Sequence, residues 1–338
     1  MKNAAAGAAG VAATLGASNL AGAVQTAATN TSRILNHNEN MEYRRLGKTE
    51  LMVSAVCMGG HTGRIDERED FDKNRYDVIS RLMDVGINYI DACSDGEVMY
   101  ACKALKGRRD KMYVALSDCG REVREEEYRT SKKLLTVLDD LLRRSKQEYT
   151  DLWRITCFEP GGRHTFNTSC ELVDALEKAK QQGKARFAGI SSHDRRWLTM
   201  MVEQFPQLDV VLFPYTAMSK NYPNYSLFDV LREHDVGAFG IKPFAAASLF
   251  KGDSMADSPH AVEDDRRARL AIRYILRNPG IIPIPGLSSV HQVDNVAKAV
   301  MERRELDKKE HAELDKAAAE TFAKLPADYQ WLKDWQYV

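Results

Sequence analysis

The 338-residue chain carries six cysteines, Cys57, Cys93, Cys102, Cys119, Cys157 and Cys170. Cys93, Cys119 and Cys157 stand at or just after the ends of three short apolar runs, residues 88–92, 112–116 and 150–155. His61 and His193 follow two other such runs, and Asp118 and Glu159 lie close by. Thiolate and imidazole are ligands for zinc or another soft metal, and a thiol beside a base is an activated nucleophile. If one face of a domain gathers Cys93, Cys119, Cys157 and His193, it can hold a metal or run thiol chemistry. The competing reading is packing, with small polarizable side chains filling space. No Cys-x-x-Cys pair occurs, so the spacing is not that of a zinc ribbon or a thioredoxin motif, and no metal is expected from it. A chain of this size does not need disulfide staples.

The elements that position such residues follow from periodicity. From Met41 on, short β-branched runs alternate with longer amphipathic stretches, the rhythm of a parallel sheet. Eight strands are predicted, at residues 53–58, 88–92, 112–116, 150–155, 187–191, 210–214, 237–243 and 281–285. Between them lie helical patterns. Residues 72–85 place Val78, Ile79, Leu82 and Val85 on one face, and residues 126–144 do the same with Leu134, Leu138 and Leu141. Others cover 97–106, 170–182, 194–204, 227–234, 265–277 and 290–302. Eight right-handed βα units close into an α/β barrel of the (β/α)₈ or TIM type. Residues 42–52 fit a β-hairpin that caps the barrel's bottom, and 307–325 an extra C-terminal helix. The expected organisation is a segment 1–40, a barrel 41–325 and a docking tail 326–338. An open doubly wound sheet is the runner-up, disfavoured because no Gly-x-Gly-x-x-Gly opens a helix.

Composition narrows the partners. The 48 basic side chains balance 48 acidic ones, 44% of residues are hydrophobic and 28% charged. That describes a soluble globular chain with no global field for nucleic acid or anionic lipid. Residues 1–30 are mostly Ala, Gly, Thr, Ser and Asn, too weakly apolar for a membrane span. Ala21-Gly22-Ala23 fits a signal-peptidase site, and Lys2-Asn3-Ala4-Ala5-Ala6-Gly7 is similar to the section that follows the twin arginines of a Tat signal. The arginines are not in the chain. A start codon assigned several residues late explains this and implies export to the periplasm. The alternative is a disordered Ala-rich tail on a cytoplasmic protein.

Several segments, in order and over about residues 42–300, resemble the aldo-keto reductase superfamily. They are Leu46-Gly47-Lys48-Thr49 with Val53-Ser54, Gly86-Ile87-Asn88-Tyr89-Ile90-Asp91, Gly107-Arg108-Arg109-Asp110-Lys111, and Tyr149-Thr150-Asp151-Leu152-Trp153. Gly183-Lys184-Ala185-Arg186-Phe187-Ala188-Gly189-Ile190-Ser191 and Pro283-Ile284-Pro285-Gly286 complete the set. The resemblance implies carbonyl reduction with a nicotinamide dinucleotide. In the family a Tyr protonates the oxygen, a Lys lowers that Tyr's pKa, an Asp orients the Lys and a His positions the carbonyl. Only Asp91 matches. Gly96 stands at the Tyr position in a shortened turn, Ser117 at the Lys position and Thr156 at the His position. Tyr100, the nearest phenol, falls inside the next helix pattern. The mouth is therefore expected to lack a phenol-amine couple.

For the cofactor the resemblance implies contacts from Ser191, Ser192, Tyr215, Lys242, Pro243, Phe244, Ser248, Leu249, Gly286, Ser288, Gln292 and Asn295. Tyr215 would stack on the nicotinamide. Leu212 replaces a Gln common in the family, and its basic pair for the 2′-phosphate is not evident. NADP(H) over NAD(H) thus comes from the family and not from residues. Three functions stay open. One is an oxidoreductase with a remodelled site acting on a small-molecule carbonyl. The second is an inactive barrel that binds a dinucleotide or another ligand. The third is the Cys/His metal or thiol site.

Overall fold

The computed structural model describes residues 34–60, 69–157 and 164–338. The leader-like segment, His61 and Glu159 lie outside them. Two antiparallel strands, β1 (Tyr43–Arg45) and β2 (Met52–Ser54), form the hairpin. Eight strands then lie in one parallel sheet. They are β3 (Met58–Gly59), β4 (Tyr89–Ala92), β5 (Tyr113–Leu116), β6 (Thr150–Cys157), β7 (Ala185–Ser192), β8 (Val210–Pro214), β9 (Gly237–Ile241) and β10 (Ile282–Pro283). Each pairs with its sequence neighbour. The ring closes where Cys57 N donates to Pro283 O (3.1 Å), Gly59 N donates to Pro285 O (2.8 Å), and Gly59 pairs with Gly286. A Cβ on Gly59 would meet Ile284 O at 2.7 Å, so this seam requires glycine.

A helix follows each barrel strand: α1 (Phe71–Asp84), α2 (Asp95–Ala104), α3 (Ser131–Ser145), α4 (Phe166–Gln181), α5 (Arg195–Gln204), α6 (Leu227–Glu233), α7 (Ala261–Leu276) and α8 (Val290–Met301). Side-chain oxygens start most of them, as Ser94 does for α2 and Ser289 for α8. The strands are apolar on both faces, as a helix-covered parallel sheet demands. Tyr89, Tyr113, Leu152, Val210, Leu212 and Phe239 fill the barrel with Leu46, Leu51 and Val53 of the hairpin, which plugs the bottom. Val114, Trp153, Ile155, Val211 and Phe213 face the helices. Barrel chemistry belongs at the mouth, the strands' C-terminal ends.

Several element boundaries lie a few residues from the sequence expectation, and one strand is divided. The predicted first strand, 53–58, is split. Val53 and Ser54 pair with the hairpin, Ser54 Oγ donates to Val56 O (2.8 Å) in a turn, and the barrel strand begins only at Met58. The expected terminal helix is α9 (Lys308–Lys324), joined to α7 by Arg273 bonding Glu310 through both oxygens (2.8 and 3.0 Å). The tail docks as expected. Trp335 Nε1 donates to His193 O (3.1 Å), Ser219 Oγ to Trp335 O (2.9 Å), and Lys220 pairs with Tyr337 in a short parallel bridge. Among the described residues, no helix is long and apolar enough to cross a membrane.

Candidate active site

The floor of the mouth is an ion pair. Asp91 is the penultimate residue of β4 and Arg154 lies within β6, both almost fully buried. Arg154 Nε donates to Asp91 Oδ2 (2.9 Å), its Nη2 reaches the other carboxylate oxygen, and its Nη1 donates to Thr156 Oγ1 (2.5 Å). Burial opposes the guanidinium charge, but the Asp91 carboxylate outweighs it and raises the arginine pKa. The bidentate fork fits a carboxylate better than a lysine could. Asp91 therefore keeps a cationic partner, supplied by β6.

Ser117 and Thr156 are brought together beside that ion pair, buried in the protein. Their hydroxyls are 2.6 Å apart, and Ser117 Oγ donates to Glu122 Oε2 (2.6 Å). Since Ser117 spends its one proton on Glu122, Thr156 donates to Ser117 and accepts from Arg154. Trp153 Nε1 (3.0 Å) and Thr156 N (3.1 Å) also donate to Glu122. Burial raises the Glu122 pKa, and these bonds pull it back. The result is a continuous polar chain from Asp91 to Glu122. Ser117 and Thr156 sit within it, fully buried, and do not line the open cleft.

Above the floor a cleft of about 470 Å³ opens, within the usual range for small-ligand sites. Asp91, Cys93, Arg154 and Ser191 form its inner end. Its wall comes from Lys242, Pro243, Phe244, Ala246, Ala247, Asp253 and Ser254 after β9, and from Gly286, Ser288 and Gln292 after β10. Lys242, Ala245, Ala246 and Ala247 have left-handed φ of 57°, 49°, 56° and 65°. Such backbone costs roughly 1–2 kcal/mol per non-glycine residue, and strain of this kind gathers at ligand clamps. Gln292 ties the two loops. Its Oε1 accepts from Ser288 N (2.7 Å) and its Nε2 donates to Ser254 Oγ (2.7 Å).

Five of the residues expected at the cofactor stand away from the cleft. Tyr215 faces outward because β8 alternates, with Val210 and Leu212 inside and Val211, Phe213 and Tyr215 against the helices. Its hydroxyl donates to Asn221 Oδ1 (3.2 Å), and its ring meets Phe228 edge-on. Ser192 accepts from Asp194 N (3.0 Å). Leu249 is buried, and its carbonyl accepts from Arg267 Nη1 (3.0 Å). Asn295 is held by Arg269 (2.6 Å) and Asp265 O (3.1 Å). Ser248 donates its N–H to Ala245 O (3.1 Å) within the loop.

The thiols do not assemble into a metal site. Among the described residues no group of three or more His, Cys, Asp or Glu side chains is placed to hold an ion. Cys157 points to the helix layer, as Trp153 and Ile155 do on the same strand. Cys119 N donates to Cys93 O (3.0 Å), and a hydrogen bond with Cys93 together with burial raises the Cys119 pKa. His193 stacks on Trp331 with ring centroids 3.9 Å apart. Burial, with the charges of Lys242 and Arg124, lowers its pKa to about 2.

Several cleft residues had no place among the expected site residues, Arg154, Asp253, Ser254 and Tyr329 among them. Arg154 carried a signal, a charge inside an apolar strand run two residues before Thr156. Tyr329 carried none, since it belongs to the tail. Lys242 Nζ lies 5.3 Å from the centre of its ring, so the mouth contains a phenol beside an amine, contrary to expectation.

The aldo/keto reductase family model matches residues 55–269 and 257–319. An L-galactose dehydrogenase of Arabidopsis thaliana is 26% identical over 79% of this chain and 90% of its own length. An L-glyceraldehyde 3-phosphate reductase of Escherichia coli O157:H7 is 24% identical over 76% of each. An aldo-keto reductase from Bacillus halodurans in its holo form superposes with a TM-score of 0.63 at 21% identity, covering 82% of this chain and 96% of that one. One from Klebsiella pneumoniae in complex with NADPH gives 0.63 at 20%, covering 82% and 94%. With the eightfold parallel barrel, these matches lead to one statement: the chain belongs to the aldo/keto reductase family.

Proposed function

We propose that the protein binds a nicotinamide dinucleotide, NADP(H) or NAD(H), along the cleft and interconverts a small carbonyl and its alcohol above the Asp91–Arg154 pair. The observation that carries this reading is the continuity of the cleft. One space joins a buried charged floor to two loops that end in polar groups and the Ser289-capped start of α8. Relatives named as a dehydrogenase and a reductase, and a barrel neighbour solved with NADPH, support it.

The donors present fit such a ligand. Ser191 would hold the carboxamide, the Lys242–Ala247 turn would cradle the phosphates, and Ser254, Ser288 and Gln292 would take the adenosine end. When bound, the dinucleotide supplies hydride to a carbonyl carbon. The chain's own part is to orient the carbonyl, exclude water and provide a proton. Arg154 acts on the forming oxyanion as a fixed charge at the floor.

Titration with NADPH and NADH, read by protein fluorescence, tests the binding. Carbonyl-dependent dinucleotide oxidation over a panel of aldehydes and ketones tests the chemistry. Binding with turnover is expected. Binding without turnover over the whole panel rejects catalysis and leaves a dinucleotide-binding protein.

A further inference from the structure

We infer that the C-terminal tail delivers the reaction's proton: the phenol of Tyr329, held beside Lys242, protonates the oxygen of the carbonyl as it is reduced. This rests on the reductase reading above. Hydride addition to a carbonyl leaves charge on oxygen, and a positioned acid must discharge it. Few groups on the cleft's inner wall can do so. Asp91 and Arg154 are tied to each other, Ser191 is an alkyl hydroxyl, and Cys93 is engaged with Cys119. Tyr329 is the phenol among the described lining residues.

Its placement is built and not incidental. Lys242 Nζ stands over two tail rings, 5.3 Å from the centre of Tyr329 and 5.9 Å from that of Trp331, within cation–π range. Trp331 in turn stacks on His193. The tail beyond is fastened by Trp335 Nε1 on His193 O and by Arg195 Nη1 on Asp334 O (3.0 Å). Lys220 and Val338 also exchange backbone bonds with it, Lys220 N to Gln336 O and Val338 N to Lys220 O, both 2.8 Å. A phenol is protonated at neutral pH, the state an acid must occupy before it acts, and burial, with Asp328 and Cys93, raises the Tyr329 pKa further. Burial lowers the Lys242 pKa, so its charge responds to a phenolate forming beside it.

The step balances. The electron pair and hydrogen of the hydride pass to the carbonyl carbon, the dinucleotide is oxidised and the carbonyl reduced. The Tyr329 O–H bond breaks as the alcohol O–H bond forms. The phenolate left behind faces Lys242 and regains its proton from solvent.

The test compares the wild-type chain with Tyr329→Phe and Lys242→Met, with Tyr100→Phe as control, since Tyr100 packs on Phe71 and under Arg75 outside the cleft. Dinucleotide affinity, kcat against pH and Tm are measured for each. Tyr329→Phe should lower kcat about 100-fold or more, leave dinucleotide affinity and Tm unchanged, and remove the alkaline limb of the pH profile. Lys242→Met should move that limb to higher pH. An active wild type whose Tyr329→Phe form keeps full kcat overturns the inference and leaves the reductase reading standing. So does loss of turnover in Lys242→Met alone, which would make the amine the donor. A wild type that oxidises no dinucleotide with any carbonyl overturns both.

Discussion

The two ends of the cleft are built on different terms. At the floor, Asp91, Arg154, Thr156, Ser117 and Glu122 bond chiefly to one another, and every donor assigned above has an acceptor within the protein. Along the wall, the loops after β9 and β10 reach each other mainly through Gln292 and hold left-handed alanines open to the cleft. A closed network resists change because removing one member strands the rest. A loosely tied wall gives up ligand affinity before it gives up stability. Substitutions at the floor should therefore read out in folding, and substitutions on the wall in binding.

The largest effect is expected from Arg154→Met. It leaves the Asp91 carboxylate buried without its counter-ion, at a cost of about 3–5 kcal/mol, seen as a lower urea midpoint. Asp91→Asn with Arg154→Met should recover much of the loss, because no charge then remains unpaired. If Arg154→Met unfolds at the wild-type midpoint, the floor is not a closed network and the contrast fails.

His193 bridges the two ends through the tail. It is held neutral in the folded state, with a pKa near 2 against an ordinary 6.5. Above pH 6.5 both docked and undocked tails carry neutral His193, so its full contribution is present. As pH falls below 6.5 the undocked form takes up the proton first, and docking weakens steadily toward pH 2. Between pH 6.5 and 5 the loss is on the order of 2 kcal/mol. Tryptophan emission should report it as a shift to longer wavelength. In His193→Phe the shift over that window should vanish, and if it persists another group controls the tail.

Gln292→Leu tests the wall. It removes the bonds to Ser288 N and Ser254 Oγ that join the two loops. Dinucleotide affinity should fall about tenfold, or ~1.4 kcal/mol, with Tm unmoved. A drop in Tm of the size seen for the floor would erase the difference between the two ends.

Much of this architecture was legible in the residues because strand alternation and helix periodicity are local signals. Seven of the eight barrel strands and the hairpin follow from them, while the expected first strand, 53–58, is divided between the hairpin and the barrel strand at Met58. The errors came where one residue of register or one distant contact decides. Tyr215 was placed by its position after a strand, yet an odd-even count with Val210 and Leu212 inside turns its ring outward. Arg154 was overlooked because a match by family position looks for the lost Lys at Ser117, whereas the cation arrives from the neighbouring strand. Tyr329 could not be foreseen. The tail's return to the mouth depends on contacts with His193, Arg195 and Lys220, more than 100 residues earlier in the chain, and no periodicity encodes them.

The smallest effect bears on which dinucleotide the wall prefers. Asp253 is exposed on the cleft next to Ser254 and Gln292, and its Oδ1 accepts the backbone N–H of Met255 (3.1 Å). A carboxylate there repels a phosphate dianion and can accept from a ribose hydroxyl, the logic by which acidic residues favour NAD over its phosphorylated form. Asp253→Lys reverses that charge. Since unit charges in water interact by about 1 kcal/mol at contact, the ratio of NADPH to NADH affinity should rise by up to about tenfold. The gain should shrink as salt is added, because an exposed pair is screened. Parallel titrations at low and high ionic strength measure it. If both dinucleotides shift together, Asp253 faces a part of the ligand they share, and the adenosine end lies elsewhere on the wall.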